Sequence, residues 1–247
     1  HTDLYSQAYF AYDSKKAGGA TRSNLRFGNT PIRATYYVNN ADFISCSLDN
    51  YVIKYDMLKN LKDGGTFLLN TEFSKEDIVD YLPNRVKKQL ADKNAKLYII
   101  NANKIADEIG MGRRTNTILQ SAFFALNPQI LPIDKAVEYM KEMAKKTYGK
   151  KGDAIVQSNY KAIDAGKDAI EEVTVDPAWS DLTVINTRTS TGDEHFDAFV
   201  SVINSLDGYD LPVSAFMDKL DGSMKSGVAI KEKRAIATQV PRWKKEN

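Results

Sequence analysis

The sequence predicts an α/β protein: a three-layer unit with a mainly parallel sheet, followed by a largely irregular C-terminal segment. Two observations carry this expectation. Short runs of β-branched and aromatic residues alternate with segments of helical periodicity as far as about residue 175, which implies parallel strands covered by helices. Beyond Pro177 the regular patterning fades, and no internal repeat replaces it.

The N-terminal region already reads as element interior, with Leu4–Tyr12 strand-like from the outset. Residue 1 is therefore expected to be a fragment boundary. Between Tyr9 and Gly28 an aromatic run, the pair Lys15-Lys16, Gly18-Gly19, Arg22 and Arg26 share one short stretch. Ile32–Val38 (IRATYYV) and Ala41–Ser45 predict two strands. Tyr51, Val52, Tyr55, Leu58 and Leu61 fall at helical spacing, and Asp63-Gly64-Gly65 reads as the C-terminus of that helix. Thr66–Leu69 (TFLL) then reads as a short buried strand. Ser74 begins a capping box for a helix that turns Ile78, Tyr81 and Leu82 inward. Pro83 interrupts it, and Val86 and Leu90 belong to a second piece. Leu97–Ile100 (LYII) is a further strand.

Ile105 and Ile109 share a helix face before the turn Gly110–Asn116, and Ile118, Leu119, Ala122, Phe123 and Leu126 resume the helical spacing. Asn127-Pro128 and Leu131-Pro132 end that helix. Asp134 is expected to cap the next, with Val137, Met140 and Ala144 inward and Lys141, Lys145 and Lys146 outward. Tyr148–Gly152 closes it, and an alanine-rich helix is expected from about Asp153 to Glu172. The resulting domain reading is a unit at 1–175, a linker with a short helix (Phe196, Phe199, Val200, Ile203) at 176–205, and a tail at 206–247. The tail has too few regular signals to bury much of its own surface and is expected to lie across a neighbouring domain.

Composition narrows the chemistry. A net charge of +2 implies no general basic surface for nucleic acid. The one cysteine, Cys46, excludes an internal disulfide framework and any iron–sulfur cluster held by four thiolates of this chain; a buried structural thiol is the expected role. His1 is expected to belong to a tag, and His195 stands alone. No apolar run approaches the roughly 20 residues that span a bilayer, and no signal peptide is evident, so a soluble, cytoplasmic protein without membrane attachment is expected.

What remains distinctive is a set of glycine-flanked basic turns. The first follows Lys15-Lys16; the second is Gly110-Met111-Gly112-Arg113-Arg114; the third is Tyr148-Gly149-Lys150-Lys151-Gly152. Backbone donors beside guanidinium or ammonium groups at a helix start suit a phosphate. Each turn alone has a plainer reading: an exposed loop, a helix–helix turn, and a helix C-cap with lysines on the dipole. Brought together at the carboxyl edge of the sheet, they would make a site for a polyanionic nucleotide or coenzyme. The carboxylates, Asp107 and Glu108 among them, read as solvated helix faces, and no nucleophile, general base or metal site stands out.

The strings AYFAYDSKKAGG, LRFG-x-x-PI, LKDGGTFLLN, NTILQSAFF, KTYGKKG and PVSAFMD…EKRAIA…VP-x-W resemble the pyruvate:ferredoxin (flavodoxin) oxidoreductase family. The likeness runs from about Thr2 to Asn247, is weakest over 183–205, and covers the third, gamma-subunit-like domain and the following EKR segment. It implies a part of an enzyme that converts pyruvate and coenzyme A to acetyl-CoA and carbon dioxide while reducing ferredoxin or flavodoxin. It further implies that thiamine diphosphate and 4Fe-4S clusters belong to other domains, which are this region's partners, and that the full enzyme is a homodimer. By the family's pattern the first cluster cysteine would follow Asn247, and a glycine-rich loop would precede residue 1. Carried over motif by motif, the implied coenzyme A contacts are Lys15, with Lys16 beside it, Arg114 and Asn116 of the second turn, and Asn159 after YGKKG. The family often has glycine where Arg113 stands.

Overall fold

The computed structural model describes residues 3–13, 19–185, 190–232 and 241–245. They divide into two compact units, one of residues 1–7 and 26–185, the other of 8–25 and 186–247. Strands β1 (Tyr5–Ala11) and β2 (Arg22–Gly28) pair as a two-stranded sheet.

The main sheet of the first unit contains β3 (Ala41–Cys46), β4 (Leu61–Asn70), β5 (Lys96–Ile100) and β6 (Glu171–Val173), in that order. β3, β4 and β5 are parallel, and β6 closes the sheet antiparallel to β5. The mainly parallel three-layer α/β expectation is met. Alternate residues of each strand enter different cores, because successive side chains point to opposite faces. Phe67, Leu69, Leu97 and Ile99 pack under α1 (Tyr51–Lys54), α2 (Lys75–Tyr81) and α3 (Asn84–Asp92), through Val52, Ile78, Val86 and Leu90. Leu68 and Ile100 face the other way, onto α4 (Ala102–Glu108), α5 (Asn116–Leu126) and α7 (Asp153–Asp168), through Ala106, Ile118, Ala122 and Ala162. Between α5 and α7 in sequence, α6 (Ile133–Tyr148) packs its Met140 and Ala144 on Ile163 of α7.

Ser74 caps α2 as expected, its Oγ accepting from the Asp77 N–H at 3.1 Å, and Pro83 separates α2 from α3. Four local expectations are corrected. Residues 32–38 form no strand: the carbonyls of Ala34 and Tyr36 accept instead from Gln7 Nε2 and Arg26 Nη2, at 2.7 Å each, and Arg26 stacks on the Tyr36 ring. The helix that begins at Tyr51 ends at Lys54, and Leu61 already belongs to β4. Gly64-Gly65 is therefore a bulge and not a helix end: five steps from Leu61 to Thr66 match two from Ala41 to Phe43. Gly64 has φ 70, where only glycine is unstrained, and its N–H reaches the Lys93 carbonyl at 2.7 Å. Asp134 lies in the first turn of α6, and Pro132 holds the cap position. Finally α7 stops at Asp168, and the chain turns into β6 where helix was expected.

After β6 a 3-10 turn at Pro177–Asp181 lies on α3: Trp179 joins the core there, and Lys88 donates to the Ser180 carbonyl. In the second unit Phe196 and Phe199 are buried, on a π-helical turn (Phe196–Val200) that runs into α8 (Ser201–Asn204). Asp197 accepts from Ser190 Oγ, the Thr191 N–H and Thr191 Oγ1, and these bonds hold its carboxyl below the usual range. The described tail holds short 3-10 turns only, with Val213, Leu220 and Ile230 largely exposed.

Candidate functional site

The second basic turn is an open platform at the start of a helix. Gly110 (φ 79) and Gly112 (φ 58) both take left-handed backbone, which folds the chain sharply from α4 into α5. Arg113 and Arg114 project from it exposed; the Arg114 N–H donates to the Met111 carbonyl at 3.4 Å, and among the described residues neither guanidinium makes a hydrogen bond or ion pair. Thr115 offers no side-chain cap to α5, so the first N–H groups of that helix stay open beside the guanidiniums.

Within the first turn of α5 begins a groove of about 360 Å³ in the helical layer, between α5, α6 and α7. Phe124, Ile130, Leu131, Met140 and Met143 make its apolar wall. Thr117, Gln120, Thr147 and Asn159 supply hydroxyl and amide groups, and among the described residues no carboxylate, lysine or arginine lines it. Its ends bear on the stretches singled out in the sequence. Phe27, from the end of the first glycine-rich stretch, lines it and lies tilted against Phe123, ring centroids 6.2 Å apart. Thr117 follows the second turn. Tyr148 opens the third, and Lys151 sits over its ring at 5.7 Å. Asn159 is 4% exposed, donates from Nδ2 to the Ile155 carbonyl at 2.8 Å and accepts from Thr117 Oγ1 at 3.5 Å.

Residues 1–169 match the sequence profile of the pyruvate ferredoxin/flavodoxin oxidoreductase family. The chain belongs to the pyruvate ferredoxin/flavodoxin oxidoreductase family. It is 44% identical to the pyruvate:ferredoxin oxidoreductase of Moorella thermoacetica, over 100% of this chain and 21% of that protein. Its identity to the pyruvate-flavodoxin oxidoreductase of Enterobacter agglomerans is also 44%, over 98% of this chain and 20% of that protein. The chain thus spans about a fifth of the length of these relatives. The PORC subunit of pyruvate oxidoreductase from Thermotoga maritima shares the fold, with a TM-score of 0.52 at 18% identity, covering 68% of this chain and 81% of that one. The resemblance that the sequence strings carry is therefore borne out as membership of the oxidoreductase family.

Within this member of the oxidoreductase family the anticipated contact residues are not equivalent. Asn159 lies in the groove. Arg114 and Asn116 are exposed at the entry of α5, three residues and one residue before Thr117, and do not line it. Lys15 and Lys16 lie outside the described residues. Gln120, Tyr139, Met143 and Thr147 also line the groove; helical spacing gave no reason to separate them from ordinary surface.

The carboxyl edge of the sheet, the expected meeting place of the basic turns, is occupied differently. Asn70, buried at the end of β4, donates to the Ser47 carbonyl at 3.0 Å and accepts from the Ala102 N–H at 2.9 Å. Thr71 donates to Asp49 at 3.2 Å. Cys46 donates from Sγ to the Leu48 carbonyl, and burial pushes its thiol up to about 11, with Asp49 adding to the rise. These groups satisfy one another and tie three strand ends together. Cys46 is thus the buried thiol that the sequence suggested. Among the described residues no group of His, Cys, Asp or Glu is arranged to hold a metal, and no helix is long and apolar enough to cross a membrane.

Proposed function

We propose that this chain is the coenzyme-A-binding domain of an enzyme that converts pyruvate and coenzyme A to acetyl-CoA and carbon dioxide, reducing ferredoxin or flavodoxin. The observation that carries the reading is the groove, at which the flanks of the second and third basic turns meet through Thr117 and Tyr148. Coenzyme A has long uncharged parts and a highly charged phosphate portion. The groove, apolar with a few hydroxyl and amide groups, suits the former, and the exposed Arg114 guanidinium at the open N-terminus of α5 suits the latter. Arg114, Asn116 and Asn159 would hold the coenzyme, with Lys15 and Lys16 as further phosphate contacts.

Membership of the family, together with relatives about five times longer than this chain, supports assigning the chemical steps to other parts of the full-length protein. Thiamine diphosphate, when bound there, supplies the electron sink for decarboxylation, and 4Fe-4S clusters carry the electrons onward. One cysteine in this chain agrees with that division. The 247-residue chain alone is expected to show no turnover. Carbon dioxide released from pyruvate by the purified chain would contradict this.

A second reading has its own observation. Apolar side chains of the tail, with Ile230 85% and Leu220 77% exposed, suit a structural module that packs other domains together and binds no ligand tightly. Calorimetric titration with coenzyme A separates the two: binding that is absent or weaker than about millimolar favours the module. The 2-oxoacid acted on is set outside this chain, so the same domain would also serve a relative of pyruvate oxidoreductase with another 2-oxoacid.

A further inference from the structure

Given the coenzyme A reading of this chain, on which the proposal rests, we infer that the groove takes the adenine nucleotide end of the coenzyme, with Lys151 as a further phosphate contact, and leaves the thiol end outside. At about 360 Å³ the groove lies at the small end of ligand sites, which run from about 300 to about 1,000 Å³. It therefore holds one part of the coenzyme and not the whole. Two uncharged parts compete for it, the adenine ring and the pantetheine arm. The lining favours the ring. Phe27, Phe124, Tyr139 and Tyr148 offer aromatic side chains, and Met140 and Met143 add thioethers. Aromatic surfaces and polarisable sulfur reward a flat π-system, whereas a flexible chain loses rotamer freedom on entering.

The placing of the cations agrees. Thr117 meets Asn159 and Ser121 meets the Ile163 carbonyl, a step of four residues on each helix, so α5 and α7 run parallel. The turns that precede them, with Arg114 and Lys151, therefore stand at the same end of the helical layer. Lys151 is exposed, and its ammonium lies 5.7 Å from the centre of the Tyr148 ring that lines the groove. Among the described residues that ammonium makes no hydrogen bond or ion pair. Two cations at one end suit the nucleotide, whose diphosphate and 3′-phosphate leave the same ribose; the pantetheine arm brings the diphosphate alone. The thiol argues for the same orientation. With the chemical steps in other parts of the protein, a groove that buried the pantetheine arm would hold the thiol away from the group it must reach.

The test is titration of the purified chain, wild type and Lys151→Met, with coenzyme A, adenosine 3′,5′-bisphosphate, adenosine and pantetheine, with backbone amide NMR to locate the nucleotide. The bisphosphate is expected to bind, to displace coenzyme A and to shift the signals of Thr117, Met143 and Asn159, and pantetheine to do none of these. Lys151→Met, a change at an exposed position, is expected to weaken the bisphosphate about tenfold and to leave adenosine unaffected. Displacement of coenzyme A by pantetheine overturns the inference while the coenzyme A reading stands. Shifts confined to residues outside the groove, or a bisphosphate affinity that Lys151→Met leaves unchanged, also overturn it. Binding of the bisphosphate without binding of coenzyme A keeps the groove as an adenine nucleotide site and defeats the coenzyme A reading. Binding of neither defeats both.

Discussion

A β-carbon placed on Gly166 would stand 2.4 Å from the carbonyl oxygen of Ile118. Helices α7 and α5 therefore meet backbone to backbone, and the adjacent Ser121 Oγ reaches the Ile163 carbonyl at 2.6 Å across the same contact. This close approach sets the separation of two of the three helices that wall the groove. Gly166→Ala must push them apart, because a backbone carbonyl cannot swing aside as a side-chain tip can. A loss of about 1–3 kcal/mol, or more, is expected in chemical denaturation. An unchanged midpoint would mean that the contact is looser than described.

The capping of α2 gives a smaller, local test. Ser74 Oγ both accepts from the Asp77 N–H and donates to the Asp77 carboxylate at 2.9 Å. Ser74→Ala should cost about 1 kcal/mol, read as a lower urea midpoint at unchanged slope. Ser74→Asp should recover most of it.

Cys46 should be inert in the native protein. Burial raises its thiol from the ordinary 9.0 to about 11, so little thiolate exists at pH 8 to attack an alkylating reagent. The sign of the linkage follows: the folded state holds the proton more tightly than the unfolded one. The resulting stabilisation is complete below pH 9, and is lost as pH rises from 9 toward 11. Cys46→Ala should remove this alkaline component from the stability profile, and rapid alkylation of the native wild type would contradict the burial.

Asp197 behaves in the opposite sense. Hydrogen bonds from Ser190 and Thr191 favour its charged form and lower it from 3.8. Its contribution is present above pH 3.8 and is lost as pH falls through the lowered value. The Thr191 amide signal should therefore titrate with a midpoint below 3.8, and Asp197→Asn should abolish the titration. A midpoint at or above 3.8 would show that the clasp does not persist in solution.

Local rules carried the fold where partners lie close in sequence. Ser74, Pro83 and the TFLL and LYII runs act through their own neighbours, and each element they mark is present. The failures depend on distant partners. Residues 32–38 have strand composition, but Gln7 and Arg26 take the carbonyls that a ladder would use. Gly64-Gly65 looks like a helix end until β3 lies beside it and turns it into a bulge. β6 is too short to announce itself and exists because β5 offers an edge. For the site, the basic turns were visible through glycine and charge, and Asn159 only through family resemblance. The groove was not visible: Met140 reads as core and Met143 as surface, and only the placing of α6 against α5 and α7 makes both a wall.

The central claim is that the groove and the turn at α5 together receive coenzyme A, and titration of the purified chain tests it most directly. The account predicts saturable binding tighter than about millimolar, weakened by Arg114→Ala and by Asn159→Ala, with the Arg114 effect fading at high salt as befits a phosphate contact. No binding, or binding that neither substitution changes, would contradict it.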